Sequence, residues 1–235
     1  MPRPDRRTLL SIYRRLYGSF GPQHWWPGDT PFEIAVGAIL TQNTSWSNAS
    51  LAVQELKRRG LLTPAKLEDI PQRRLAGIIR SSGYFNQKAK GLKVFVRYLA
   101  EHYSGRMDRM RKVPLRRLRR ELLEMWGIGP ETADSILLYA LRKPVFVVDA
   151  YTRRILARHL LIPWDSSYEQ IQRLFHGALE GRGKRVKYNE YHALIVQTGK
   201  EFCRPHPLCS SCPLNSVGKI KLEYKALSRS KLHKK

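Results

Sequence analysis

The sequence predicts an all-α protein. Apolar residues recur at helical spacing along most of the 235-residue chain, for example between Arg6 and Gly18. No segment reads as a convincing strand, and the β-branched run before Asp149 is too short to be one. Pro130 fits the first position of a helix, where no backbone N–H is needed.

The charge of the chain indicates a polyanionic partner. There are 43 Lys and Arg against 19 Asp and Glu, which gives a formal net charge of +24. Such an excess costs self-repulsion unless a polyanion relieves it, so nucleic acid is the favoured partner. A membrane is less favoured, because no helix segregates its basic residues opposite an apolar face. No apolar run reaches the roughly 18 residues of a membrane span and no signal peptide is evident, which predicts a cytoplasmic protein.

The N-terminal part begins with an amphipathic helix, Arg6 to Gly18, followed by a loop at 19–30 that is rich in Gly and Pro. This loop contains Trp25, Trp26 and Pro27. Two adjacent tryptophans fit a role as core filling and a role as the wall of an aromatic pocket about equally well.

An apolar helix is predicted from Pro31 to Gln42. Ser45 or Thr44 can cap the next helix, Trp46 to Arg59, because a hydroxyl at that position accepts from a free helix amide. On residue type alone, Gln42 reads as a polar helix C-terminus.

The rest of the chain is predicted as helices joined by loops. These helices are 64–70, 71–81, 87–102, 113–126, 130–141, 150–161, 167–179 and 188–203. The arginines of the 113–126 helix fit a solvated face and a brace toward DNA equally well. Arg106 to Lys112 is predicted as a basic loop, and the basic tail 219–235 as a mobile segment.

The stretch from Met125 to Arg154 carries the strongest motif. The tight turn Gly127-Ile128-Gly129 leads directly into a helix, and the amides of such a turn form a site for a phosphate. Asp149 follows an apolar run, and the basic pair Arg153 and Arg154 lies one turn further on. A phosphate anchor, a carboxylate and a basic pair in this order indicate chemistry beside a nucleic-acid backbone.

This stretch resembles the helix-hairpin-helix and Gly/Pro-Asp signature of the endonuclease III superfamily of DNA glycosylases. Leu115 to Trp126 matches the first helix, Pro130 to Leu141 the second helix, and VVDAYTRR the segment with the aspartate. The match is specific, since the hairpin and the aspartate keep the family's spacing. The alternative is an ordinary αα-hairpin with a capping aspartate.

The resemblance covers nearly the whole chain outside the tail, and it implies a two-lobed helical fold with the active-site cleft between the lobes. Residues 30–142 would form a six-helix barrel domain that ends in the helix-hairpin-helix. Residues 1–29 plus 143–218 would form a second helical lobe, and 219–235 a basic tail.

The resemblance also implies residue roles. Asp149 would be the catalytic carboxylate beside C1′ of the damaged nucleotide, and Gln42 would enter the gap that the flipped nucleotide leaves. The residues expected to contact DNA are Gln42, Gly127, Ile128, Gly129, Thr132, Arg153 and Arg154.

One departure from the family concerns the strand-cleavage step. Bifunctional members carry a lysine two residues after the second hairpin glycine, where this chain has Glu131. A carboxylate cannot form the Schiff base, so a lyase step is not expected unless another lysine substitutes. Adenine-mismatch glycosylases also lack this lysine, but they need a glutamate where this chain has Gly37.

The cysteines depart as well. The family's iron–sulfur loop uses four thiolates, whereas this chain has Cys203, Cys209 and Cys212, and the place of a fourth falls on Gly218. A 4Fe-4S cluster held by three thiolates and a non-protein ligand or His206 is one alternative. A lost or labile cluster is favoured, with no cofactor required for the chemistry and the loop kept for DNA contacts.

The chain lacks the family's lysine, has Trp25-Trp26-Pro27 before the pocket helix, and has Thr41-Gln42-Asn43-Thr44 at the end of that helix. In these features it looks most similar to the 3-methyladenine DNA glycosylase III subgroup. The expected base pocket comprises Trp25, Trp26, Pro27, Trp46 and Glu131. Alkylated purines are cationic and hold their N-glycosidic bond poorly, and aromatic rings bind a flat cation by stacking and cation–π contact.

The function expected is that of a monofunctional DNA glycosylase, a monomer acting on double-stranded DNA that contains a damaged base. Three alternatives remain open. They are an endonuclease III-like glycosylase and lyase for oxidised pyrimidines, a thymine or uracil mismatch glycosylase, and a non-enzymatic DNA-binding module.

Overall fold

The computed structural model describes residues 4–25, 28–218 and 220. All regular elements in this part of the chain are helices or single helical turns, which confirms the all-α prediction. Within the same residues, no helix has the length and apolar character needed to cross a bilayer.

Twelve α-helices occur in the described residues. They are α1 (Arg6–Phe20), α2 (Pro31–Leu40), α3 (Trp46–Arg58), α4 (Pro64–Asp69), α5 (Gln72–Ile78), α6 (Phe85–Tyr103), α7 (Met107–Lys112), α8 (Leu115–Glu124), α9 (Pro130–Ser135), α10 (Ala150–Arg158), α11 (Tyr168–Ala178) and α12 (Lys184–Glu201). Two 3₁₀ turns, Arg80–Ser82 and Cys209–Ser211, and a π-helical segment, Ile136–Ala140, complete the set.

The chain forms two compact units. The central unit comprises His24–Val147 and Gly183–Asn189, and the terminal unit comprises the described parts of Met1–Gln23, Val148–Arg182 and Glu190–Lys235. The lobes predicted from the sequence differ from these units at 24–29, 143–147 and 183–189. Their role as the two walls of a cleft stays a prediction.

The central unit is built around α2. Seven of the ten residues of this helix are buried, including Ala35 and Ile39. A helix that is apolar nearly all round belongs inside a core. It packs against α3, α6 and the π-helical segment that continues α9. The turn that follows α2, which contains Gln42, is therefore attached to a well-packed helix.

The terminal unit is organised by the packing of α1 on α11. Leu9, Ile12 and Leu16 form the buried stripe of α1, and Phe175 of α11 is fully buried. The Tyr191 hydroxyl of α12 donates to the Leu9 carbonyl at 2.8 Å, which ties α12 to the same core.

Two sequence predictions are wrong about local structure. Arg106 to Lys112 is not a loop, because Met107 to Lys112 forms α7, with Met107 and Met110 buried. The predicted helix 130–141 is not a single α-helix, since it turns π-helical from Ile136 to Ala140. Apolar periodicity over so few residues does not distinguish a π turn from an α turn.

Other differences concern helix ends. Ser45, rather than Thr44, caps α3 by accepting from the Asn48 amide. The helix α8 ends at Glu124, so Trp126 belongs to the hairpin turn. The helix predicted at 188–203 begins four residues earlier, since α12 spans Lys184–Glu201.

Candidate active site

The hairpin between α8 and α9 has the backbone that its two glycines predict, and each glycine has a different reason. Gly127 has a φ of +80°, a left-handed conformation that side chains disfavour, whereas Gly129 has a φ of −89°. A Cβ at either position would meet no other atom within 4 Å. Both glycines are exposed while Ile128 between them is buried, so the turn presents bare backbone to solvent.

Gln42 is tied to this hairpin. Its side-chain nitrogen donates to the Gly127 carbonyl at 2.8 Å and to the Thr132 hydroxyl at 2.9 Å. Because a carbonyl can only accept, the amide nitrogen must face the hairpin. Thr132 is buried, so its side chain acts through Gln42, and its predicted contact with DNA stays a prediction.

A buried ion pair joins the two helices of the hairpin. Arg119 of α8 donates from Nε and a terminal nitrogen to both carboxylate oxygens of Asp134, at 2.8 and 3.1 Å. Asp134 is fully buried, which makes the pair costly to break from one side. Arg119 therefore braces the protein, whereas Arg116 and Arg120 are exposed to solvent.

An exposed aromatic–cation pair adjoins the hairpin. The Trp126 side chain is 44% exposed, and the Lys90 ammonium lies 4.1 Å from the centre of its ring. A cation held over an exposed indole keeps positive charge beside the turn. This arrangement fits the polyanionic partner that the net charge predicts.

Lys88 supports the turn that carries Gln42. It is 3% exposed, and its ammonium donates to the Leu40 carbonyl at 2.8 Å and also to the Ser82 carbonyl. Burial lowers the pKa of Lys88 to about 8. The lysine thus fixes the C-terminal end of α2 against the turn before α6.

Asp149 lies in the terminal unit as the N-cap of α10. Its Oδ1 accepts from the Thr152 amide at 2.7 Å and from the Thr152 hydroxyl at 2.8 Å, while its Oδ2 lies 3.5 Å from Nε2 of His192. Burial acts to raise the pKa of Asp149, but the charge of His192 and these hydrogen bonds outweigh it and lower that pKa. The result is a fixed, ionised and largely enclosed carboxylate.

The predicted basic pair makes contacts within the terminal unit. Arg153 donates to the Ser166 carbonyl, and Arg154 donates to the Gly199 carbonyl at 3.1 Å. The Arg154 guanidinium also lies 5.0 Å from the centre of the Tyr151 ring. Both arginines have internal roles here, and their contact with phosphates stays a prediction.

The predicted base pocket is only partly within the described residues. Trp25 and Trp46 are half-buried members of the central unit, and Glu131 is exposed on the first turn of α9. Trp26 and Pro27 lie outside the described residues. The structure does not test whether these residues form a pocket, so the pocket itself stays a prediction.

A cavity of about 430 Å³ lies elsewhere, in the terminal unit. Its lining includes Pro4, Ile162, Asp165 and Arg173, and none of the predicted site residues. Because none of the predicted catalytic or DNA-binding residues lines this cavity, we do not assign the substrate to it.

The cysteine loop does not fit the four-thiolate cluster of the fold family. The place of the fourth cysteine is Gly218, whose φ is +64° and where a Cβ would lie 3.2 Å from the His159 carbonyl. A cysteine there would therefore be strained and crowded. Among the described residues, no group of three or more His, Cys, Asp or Glu is arranged to hold a metal ion.

Two side chains at the C-terminal end of α10, Arg158 and the capping residue His159, hold this loop instead. Arg158, which is 1% exposed, donates to Sγ of Cys203 at 3.3 Å, to the Arg204 carbonyl at 2.5 Å and to the Pro205 carbonyl at 3.0 Å. Nδ1 of His159 lies 2.7 Å from the Val217 carbonyl at the far end of the loop. Burial raises the pKa of the Cys212 thiol.

Three of these residues did not follow from the sequence motif, namely His192, Lys88 and Arg158. The burial of Lys88 could have been predicted from the sequence, because Lys88 lies four residues before Leu92 on the apolar face of α6. Arg158 and His192 had none, since each acquires its role from a partner more than 40 positions away in the chain.

An all-α fold with a glycine hairpin and a fixed aspartate is typical of helix-hairpin-helix proteins that act on DNA. The chain belongs to the HhH-GPD superfamily of base excision DNA repair proteins, whose family model matches residues 36–180. As a member of this family it is a DNA glycosylase.

Individual relatives agree with this assignment. A Methanocaldococcus jannaschii protein assigned as a DNA repair glycosylase is 44% identical over 209 residues, which is 88% of this chain and 93% of the relative. The H. pylori 3-methyladenine DNA glycosylase bound to 1,N6-ethenoadenine is 28% identical, covers 83% of this chain and 95% of its own, and has a TM-score of 0.70. A non-covalent endonuclease III–DNA complex has a TM-score of 0.78 at 22% identity, over 92% of this chain and 95% of that chain, and shows the fold alone.

Proposed function

We propose that this protein is a monofunctional glycosylase for alkylated purines such as 3-methyladenine. The observation that carries the proposal is Asp149, a largely enclosed carboxylate that stays ionised and is fixed through Thr152. A negative charge held in place lowers the barrier for a reaction that develops positive charge, and it does so without reorganising during the reaction.

The chemistry follows from this charge. The damaged nucleotide rotates out of the stack, and the bond between C1′ and the base nitrogen breaks. Both bonding electrons leave with the base, which is thereby neutralised, and C1′ becomes oxocarbenium-like. Asp149 stabilises this cation and orients a water, whose oxygen bonds to C1′ while its proton passes to Asp149 and then to solvent, as with an essential glycosidase carboxylate.

A cationic leaving base needs little acid catalysis, which suits a site with one essential carboxylate. Trp25, Trp26 and Trp46 would bind such a base by stacking and cation–π contact, on the order of 1 kcal/mol each. The similarity to the H. pylori 3-methyladenine DNA glycosylase supports this substrate class.

The absence of the family's lysine at position 131 supports a monofunctional reaction. Glu131 supplies a carboxylate there and cannot form a Schiff base with C1′. No metal or cluster is part of the proposed chemistry, because every step uses a carboxylate, a water and the substrate's own charge.

A second candidate is a glycosylase with lyase activity, and Lys143 is the observation in its favour. Burial lowers the pKa of its amine, and neighbouring Arg111 lowers it further. A lowered pKa leaves more of the amine neutral and nucleophilic at pH 7. Lys88 is a weaker candidate, since it is buried and bound to two carbonyls.

Base release over a panel of duplexes tests the proposal. Each duplex carries one modified base, chosen from alkylated purines, oxidised pyrimidines and thymine or uracil mismatches, and released bases are identified by mass spectrometry. An abasic duplex assayed in parallel reports nicking and covalent trapping by borohydride. We expect release of 3-methyladenine, with no nicking and no trapping.

Three results would contradict the proposal. Release confined to oxidised pyrimidines would overturn the substrate class. Trapping of the wild-type protein would overturn the monofunctional assignment, and Lys143→Gln would then test whether that amine is the nucleophile, with Lys200→Gln as the matched comparison. Tight binding of lesion duplexes with neither release nor trapping would indicate a DNA-binding module.

A further inference from the structure

His192 faces the carboxylate of Asp149 from a different helix. It lies on α12, and its Nε2 is 3.5 Å from Oδ2 of Asp149. The two side chains are 5% and 12% exposed, so water screens the pair weakly. Thr152 occupies only Oδ1, which leaves His192 as the described partner of Oδ2.

We propose that His192 is a positioning residue that orients Oδ2 of Asp149 and, when protonated, keeps that carboxylate ionised in acid. The proposal rests on the proposed function, because it assigns His192 a role through the catalytic aspartate. His192 itself need not touch the substrate.

Geometry gives His192 two separable effects. Nε2 lies at ion-pair distance from Oδ2, and an Nε2–H group that moves into hydrogen-bonding distance donates to Oδ2 whether the ring is neutral or charged, which orients the carboxylate. A protonated ring adds an opposite charge within 4 Å, which favours the ionised carboxylate. The second effect disappears when the ring loses its proton, and the first remains.

Other polar groups on α10, α11 and α12 make hydrogen bonds elsewhere in the terminal unit. On α10 itself, Arg153 donates to the Ser166 carbonyl and Arg154 to the Gly199 carbonyl. From α11, the Tyr168 hydroxyl accepts from the Val148 amide, and on α12 Glu190 accepts from the Gln23 amide. Among these groups, His192 is the one placed within ion-pair distance of the carboxylate.

The consequence is a pH dependence of base release. A protonated Asp149 carries no charge and cannot stabilise an oxocarbenium-like transition state, so the rate falls in acid. Burial raises the pKa of Asp149 and His192 lowers it, with the lowering dominant. Removing the histidine charge should therefore move the loss of activity to higher pH.

Single-turnover base release against pH tests both effects. His192→Gln keeps an N–H donor and removes the charge, so we expect the acidic limb to move up by about one pH unit, with the plateau rate and the affinity for the lesion duplex within a few-fold of wild type. His192→Leu removes the donor as well, and its plateau single-turnover rate should fall by roughly tenfold with the duplex affinity unchanged, equivalent to about 1.4 kcal/mol.

His159→Gln is the matched control. His159 is also a buried histidine of the terminal unit, but its ring contacts the Val217 carbonyl and not Asp149. Its substitution should leave the acidic limb at the wild-type pH. An unshifted limb in His192→Gln, or the same shift in both variants, would overturn the proposal.

A measurement on the wild-type protein covers the case in which the variants fold poorly. The side-chain carboxyl carbon of Asp149, followed by NMR over pH without substrate, should show a second inflection besides its own protonation, because a second ionisable group lies within 4 Å of the carboxylate. A single inflection would overturn the pairing. If Asp149→Asn released bases at the normal rate, the proposed function would fail, while this NMR result would still report on the pair.

Discussion

The hairpin of the central unit and the cysteine loop of the terminal unit both carry a recognisable motif, but they depend on different interactions. The hairpin keeps its backbone requirement at Gly127 and is held by Gln42 and by the Arg119–Asp134 pair. The cysteine loop keeps three of the four expected thiolates and is held by Arg158, the last residue of α10, and by His159, which follows it. A sequence motif can therefore persist while the interactions that support it change.

The difference has a physical cause. A left-handed φ is a local property that one glycine satisfies, so the hairpin can be read directly from the residues that form it. A loop without its fourth ligand must obtain its cross-links elsewhere, and a buried guanidinium can bind several carbonyls at once. Those cross-links come from residues outside the motif.

The largest effect is expected for Arg158→Met. Loss of the guanidinium leaves the carbonyls of Arg204 and Pro205 without this donor, so the free energy of unfolding should fall by about 3 kcal/mol. Denaturant unfolding measures it. The control is Arg204→Met, which changes an exposed arginine of the same loop and should alter stability by no more than about 0.5 kcal/mol.

A different pair of results would indicate that a metal cluster holds the cysteine loop. If Arg158→Met were as stable as wild type, while chelation of iron destabilised the wild-type protein, a metal would hold the loop. We expect instead that chelation leaves the wild-type unfolding free energy unchanged, and that aerobically purified protein contains less than one full cluster per chain.

An intermediate effect is expected at the hairpin glycines. Gly127→Ala should lower the free energy of unfolding by about 1–2 kcal/mol, because it forces a side chain into a left-handed φ of +80°. Gly129→Ala should change stability by less than about 0.5 kcal/mol, since its φ is −89° and its Cβ meets no atom within 4 Å.

DNA binding by Gly129→Ala tests whether a phosphate contacts the hairpin. If a phosphate approaches the hairpin amides, the added methyl group should weaken binding of an abasic-site duplex by roughly tenfold, about 1.4 kcal/mol, without affecting folding. Binding at wild-type strength would mean that the phosphate does not contact this part of the turn.

The smallest effect is the pH dependence that Lys88 contributes to stability. Its pKa is about 8 in the folded protein and near the ordinary 10.5 when unfolded, so the unfolded state binds more protons between these values. The unfolding free energy should therefore rise with pH in this window. The Cys212 thiol acts in the opposite direction there, since its pKa is raised on folding.

Comparison with Lys88→Met isolates the lysine. The wild-type stability should rise relative to the variant between about pH 8 and 10, because the cysteine contribution is common to both proteins. Parallel curves would show that the Lys88 ammonium is as well accommodated in the fold as in water.

The fold was largely predictable from local patterns, while the supports of the candidate site were not. Helical periodicity is local, and the all-α prediction that rests on it is confirmed. The turn at Gly127 is also local, since its left-handed φ of +80° needs only one glycine. The helix α7 escaped prediction because two buried methionines in six residues give too little periodicity. Arg158 and His192 acquire their roles from partners distant in the chain, and local patterns in a single sequence do not reveal which buried ionisable groups come into contact.

The most direct test of the central claim is base release by Asp149→Asn under single turnover. Asparagine also caps helices well, so α10 should remain intact and affinity for a lesion duplex should stay within a few-fold of wild type. We expect release to fall by at least about 100-fold, roughly 2.7 kcal/mol of barrier, while the exposed control Asp165→Asn keeps the wild-type rate. Near-normal release by Asp149→Asn would contradict the assignment of this carboxylate to the chemistry.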